Sequence, residues 1–151
     1  MDYIKQAEKV LDHYRDLQNS LVNMDRQIAR LMRYSCPKQL SGSVMDETGI
    51  RAGRHVDTLT AFCDIVTLRE NREETKDELA YIDYILDSLS DEPKCELYGK
   101  ILTMWYIDGM PKEEIADKVG YSSRQSIYSI RKLAITKFAI RLFGKKALVA
   151  V

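Results

Sequence analysis

From Tyr3 onward, apolar residues return at alternating intervals of four and three: Tyr3, Ala7, Val10, Tyr14, Leu17, Leu21, Met24, Ile28 and Leu31. That spacing keeps one stripe of a helix against a partner helix. No Gly or Pro interrupts it, so the pattern predicts one helix over residues 2–35, ended by Pro37. A second stripe with the same intervals runs through Ala61, Ile65, Leu68, Arg72, Thr75, Leu79, Ile82, Leu86 and Leu89, and predicts a helix from about residue 54 to Ser90. Within it "RENREETKDE" leaves Arg72 and Thr75 in apolar register, as weak points or register markers. Between the two lies "CPKQLSGSVMDETGIRAGR", with Gly42, Gly49 and Gly53. This connection is longer than the about 12–15 residues usual in a compact domain, so it is either mobile or a contact element. Two helices of ~50 Å at 1.5 Å per residue, joined by a loop, suggest an antiparallel hairpin. A coiled-coil dimer through the first helix competes with it, and periodicity does not choose.

"SDEP", residues 90–93, breaks the pattern, and Ser90 or Asp91 suits the cap of a new helix. That helix is expected to reach Ile107 with Leu97, Ile101, Leu102 and Trp105 on one face, closed by Gly109. Tyr98, Trp105, Tyr106 and Tyr121 are expected in the small core. Pro111 then starts a short helix, Lys112–Val119, whose inner stripe is Ile115, Ala116 and Val119. Gly120 supplies a sharp turn and Ser123 caps a last helix, with Ile127, Ile130, Ala134 and Phe138 facing inward. Two short helices around a tight turn fit a helix-turn-helix, whose second helix can enter the major groove of DNA. At the start of that helix Arg124, Gln125, Ser126 and Ser129 face outward. Arg suits two acceptors on guanine and Gln suits adenine. Tyr128, Arg131, Lys132 and Lys137 are expected along the sides, toward phosphates. Ser122 and Ser123, with free N–H groups nearby, would add a phosphate seat.

Charge sharpens this picture. Residues 94–151 hold 11 Lys or Arg against 5 Asp or Glu, a net of +6, and residues 1–93 hold 12 against 18, a net of −6. A polyanion is attracted to one half only, so the halves suit different partners. No apolar run approaches the roughly 18 residues needed to span a bilayer. "MDYIKQAEKV" has no basic cap before an apolar run, which predicts a cytoplasmic protein without a secretory signal. Cys36, Cys63 and Cys95 are scattered and, with His13 and His55, offer no zinc-ligand spacing. They read as reduced thiols in partly buried helical positions. There is no Gly-rich phosphate loop, no HExxH and no Ser-His-Asp arrangement, and Glu73–Glu74 and Glu113–Glu114 read as exposed helical surface. Neither an enzyme nor a cofactor is expected.

"LTMWYIDGMPKEEIADKVGYSSRQSIYSIRKLAITKF" resembles the region-four DNA-binding domain of bacterial sigma factors over about residues 97–140. The family pattern is roughly Y-I-x-G-x-S-x-x-E-I-A-x-x-L-G-x-S, then Val or Ile, then Ala and Lys. Pro111 stands where the pattern has Ser, and Gly120 to Ile127 spans seven residues where the pattern has six. The whole chain, with its helical arm and "LSG" in the connection, resembles the phage late-transcription regulators of the ArpU type. The resemblance implies an activator of prophage late genes in a bacterial host, binding double-stranded promoter DNA and contacting host RNA polymerase. It places Ser122, Ser123, Arg124, Gln125, Ser126 and Ser129 at the DNA.

The expected fold is all-α. A long N-terminal antiparallel, coiled-coil-like helical hairpin (residues 1–90, loop about 36–53) precedes a three-helix helix-turn-helix domain (91–144) and a tail (145–151). The acidic arm would form a homodimer or touch RNA polymerase. A phage small terminase subunit, marking DNA for packaging, is the alternative function. A third reading makes the arm a docking element for a host protein.

Overall fold

A computed structural model describes residues 2–35, 58–121 and 123–148, and among these every regular element is a helix. Helix α1 spans Tyr3–Asp12, α2 Tyr14–Ser35 and α3 Thr58–Ser90. Helix α4 spans Tyr98–Leu102 and passes into a wide helical turn, Thr103–Ile107. Helices α5 (Lys112–Val119), α6 (Arg124–Phe143) and α7 (Lys145–Leu148) follow. The connection expected over residues 36–53 lies outside the described residues, as do Cys36, His55 and Ser122. No described helix is long and apolar enough to cross a membrane.

The single helix expected over residues 2–35 is interrupted at His13, whose ψ is −1°. Asp2 caps α1 through Oδ1, which accepts from the N–H groups of Ile4 and Lys5, both at 3.2 Å. At the break the hydrogen bonds still run on, His13 N to Lys9 O at 3.0 Å and Leu17 N to His13 O at 2.9 Å. The buried face of α1 is Ala7 and Leu11 rather than the Ala7 and Val10 of the heptad reading. The stripe expected in α3 is largely as read: Ala61, Ile65, Leu79, Ile82, Leu86 and Leu89 are buried. The end of α3 at Ser90 is also as read.

Contacts divide the chain into two units, one of Met1–Gln18 with Asp77–Val151 and one of Asn19–Lys76. This differs from the expected boundary near residue 90. The physical reason is that the first helix and the last turns of α3 bury their apolar faces with the C-terminal helices. Helix α1 lies against α6, α7 and the wide turn. Leu11, Ile82, Leu89, Ile101, Ile135 and Phe138 are all fully buried. Tyr3 meets Phe143 with ring centroids 5.4 Å apart. Tyr14 is buried and its hydroxyl donates to Asp83 Oδ1 at 2.6 Å.

In the second unit Met24 and Ile28 of α2 and Ala61 and Ile65 of α3 are buried. The out-of-pattern Arg72 is accommodated by a carboxylate: its Nε donates to Asp25 Oδ1 at 2.5 Å. That bond raises the pKa of the guanidinium. Thr75 turns its hydroxyl back to the carbonyl of Asn71 at 2.7 Å, which lets a polar side chain stay in a helical stripe.

The expected helix start at residue 91 is not observed. Pro93 removes an N–H and Lys94 takes a φ of +69°, so residues 91–97 form turns and α4 begins at Tyr98 without a side-chain cap. Gly99 is forced by proximity, because a Cβ there would lie well inside 3.0 Å of the Leu86 carbonyl oxygen and the Ser90 hydroxyl. The Gly99 carbonyl accepts from the Thr103 hydroxyl at 2.9 Å. In the wide turn Asp108 N reaches Thr103 O at 2.9 Å, five residues back.

Candidate nucleic-acid interface

Helices α5 and α6 pack through a compact cluster of Ile101, Ile115, Ala116 and Ile127, covered by Leu97, Met104, Trp105, Met110, Val119 and Ile130. The bounds of α5 match those read from Pro111 and Gly120. Pro111 precedes the helix with φ −58° and ψ 145°. Gly120 closes it at φ +82°, a left-handed conformation that glycine adopts without a Cβ penalty. Two N–H groups, of Gly120 and Tyr121, converge on the Ala116 carbonyl at 2.9 and 3.0 Å. Ser123 caps α6 as expected, its Oγ accepting from Gln125 N at 3.2 Å.

The early turns of α6 carry the polar positions singled out in the sequence. Ser123, Arg124, Gln125, Tyr128, Ser129 and Lys132 are exposed, and Ser126 is half-buried. The Ser129 hydroxyl donates back to the Gln125 carbonyl at 3.0 Å. Arg124 Nη2 lies 2.8 Å from Glu113 Oε1 of α5. Tyr128 presents its ring edge-on to Trp105, centroids 5.3 Å apart. Tyr121, expected in the core, is exposed instead, because the turn after Gly120 carries it outward.

Two of the expected phosphate-facing cations are engaged within the protein. Arg131 donates from Nε to the Tyr106 hydroxyl at 2.9 Å and from Nη2 to Glu8 Oε1 of α1 at 2.8 Å. Its guanidinium also lies 4.7 Å from the centre of the Trp105 ring. Burial pushes the Tyr106 phenol up to about 12, while the Arg131 hydrogen bond pulls the other way. Lys137 and Arg141 both pair with Glu92, and Arg141 also donates to the Ser88 hydroxyl. Lys137 and then Arg141 hold the Glu92 carboxyl below its usual range, and Glu92 in turn raises Lys137. A phosphate would have to compete with these carboxylates for Arg131 and Lys137, so their first role is to fasten α6.

One cation escaped the sequence reading. Lys112 Nζ sits 5.2 Å from the Trp105 ring centre and 5.0 Å from that of Tyr128. A positive charge in the first turn of a helix opposes the helix dipole, and that odd placement was the available signal. Two aromatic faces offset it. With Lys112, Tyr128 and Lys132 the open face around the start of α6 gains a cationic and aromatic flank.

This arrangement offers hydrogen-bond donors and positive charge on one face. Among the described residues no cluster of three His, Cys, Asp or Glu side chains could hold a metal. Cys63 is exposed and Cys95 is buried, its thiol 3.3 Å from Lys137 Nζ. Comparison of the chain with family models, curated proteins and solved structures finds no match.

Proposed function

We propose that the chain is a sequence-specific DNA-binding transcription regulator, with α5 and α6 acting as a helix-turn-helix. The start of α6 would enter the major groove, Arg124 and Gln125 reading base edges while Lys132 and Lys112 meet phosphates. The observation that carries this is the open first half of α6. Its cap, Arg124, Gln125, Tyr128, Ser129 and Lys132 all face solvent, beside a glycine-closed turn. The +6 net charge of residues 94–151 supports attraction to a polyanion.

The likeness to sigma region four and to ArpU-type regulators extends the proposal. The protein would then act in the cytoplasm of a bacterial host on phage or prophage late promoters. Its helical arm, as a coiled-coil hairpin, would dimerise or contact RNA polymerase. The Asp25–Arg72 pair supports the hairpin, since it joins α2 to α3 within the second unit.

The experiment is duplex binding by wild type, Arg124→Ala with Gln125→Ala, and Lys132→Ala, on sites selected from random sequence. The double variant loses the selected site while keeping its affinity for unrelated DNA. Lys132→Ala weakens all duplexes alike and lowers the salt slope by about one. Equal affinity and salt slope for wild type and the double variant would refute the assignment of α6.

A further inference from the structure

The pair between Arg124 and Glu113 is oddly placed for a stabilising bond. It joins the first residue of α6 to the second of α5 at 2.8 Å, with side-chain exposures of 68% and 53%. Exposed pairs of this kind contribute little to stability, and the two helices are already fastened by Ile115, Ala116 and Ile127. The neighbouring acid Glu114 pairs within its own helix, with Lys118 at 3.2 Å. Among the described residues Glu113 is the acid that reaches across to the cation proposed to read a base.

Its effect on that cation is specific. Glu113 Oε1 lies against Nη2 of the guanidinium, so side-chain orientations that keep this contact are favoured before any ligand arrives. The same carboxylate stands on a face that would meet phosphates and weakens contact with any duplex lacking the matching base. We propose that Glu113 is a positioning residue that aims Arg124 at a guanine edge and sets the base preference of α6. This rests on the DNA-binding function proposed above.

The test is selection from a randomised duplex library by wild type, Glu113→Gln, Arg124→Ala and the double variant, each first checked for an unchanged melting curve. Affinity for one unrelated duplex is measured alongside. Wild type should enrich a site with guanine at one position, and Arg124→Ala should lose that preference. Glu113→Gln should weaken discrimination at the same position by about two- to fivefold and bind the unrelated duplex more tightly. With Arg124→Ala already present, Glu113→Gln should change the base preference no further. A Glu113→Gln protein that keeps the wild-type preference overturns the inference, and so does an equal change with or without Arg124. If wild type enriches no sequence at all, the DNA-binding function itself fails, and this inference with it.

Discussion

Leu11→Ala should destabilise the unit that carries α6, although the two are more than a hundred residues apart in sequence. Leu11 is fully buried in α1, which lies against α6, α7 and the wide turn. Truncating such a side chain removes its transfer free energy and leaves a cavity, together about 2–5 kcal/mol. For a domain of roughly 90 residues, each kcal/mol moves the midpoint by about 4–8 °C. A mid-range cost of about 3 kcal/mol therefore lowers Tm by about 12–24 °C. The chain has a single tryptophan, Trp105, and it lies inside this unit beside Arg131 and Tyr128. Its fluorescence on heating reports this unit directly. Lys9→Ala, on the exposed side of the same helix, should stay within about 0.5 kcal/mol of wild type. If Leu11→Ala leaves the Trp105 transition where it was, α1 is not part of this core and the division of the chain is wrong.

Gly99→Ala should destabilise even though alanine is the better helix former by about 1 kcal/mol. The new methyl would press on the Leu86 carbonyl, a backbone atom with no rotamer to give, and overpacking typically costs about 1–3 kcal/mol. A denaturant midpoint at or above wild type would remove that close approach. The Tyr14 and Tyr106 phenols are both pushed up to about 12, in each case mainly by burial, from the usual 10.0. The fold therefore favours their neutral forms, and the linked stability is whole below pH 10.0 and lost as pH rises through about 12. Absorbance titration of tyrosinate should show late-titrating groups, Tyr14 and Tyr106 among them, coincident with alkaline unfolding. Glu92 has the opposite sign: its lowered carboxyl pKa contributes stability above its usual 4.5 that is lost as pH falls through the folded value. Glu92→Gln should flatten the acid limb of stability against pH, and an unchanged limb would show that Lys137 and Arg141 do not depend on it.

The sequence made some of this legible for definite reasons. The α3 stripe could be read because its period repeats over many turns, so that even Arg72 kept its place, half-buried against Asp25. Helix α5 could be bounded because Pro111 and Gly120 punctuate it. The interruption at His13 carried no such punctuation, since nothing in its residue type disfavours a helix as Gly or Pro would. Leu11 sits one place off the heptad stripe, and only a partner absent from local sequence selects it over Val10. The outward polar positions of α6 followed from its inner stripe of Ile127, Ala134 and Phe138. What periodicity could not supply was which cations are already engaged. Arg131 with Glu8 and Lys137 with Glu92 are long-range pairs, and their two members share no local pattern.

Glu8 and Arg131 meet across 123 positions of sequence. A ribosome adding about 5–20 residues per second releases α1 roughly 6–25 s before α6 exists to receive it. During that interval Ala7 and Leu11 lack the cover of α6, while the segment Asn19–Lys76 already has both its helical stretches at hand. The middle of the chain can thus mature before the two ends that enclose it in sequence. Bringing those segments together carries the entropic cost of a long loop, and a growing chain cannot present a finished α6 surface until α6 itself has been made.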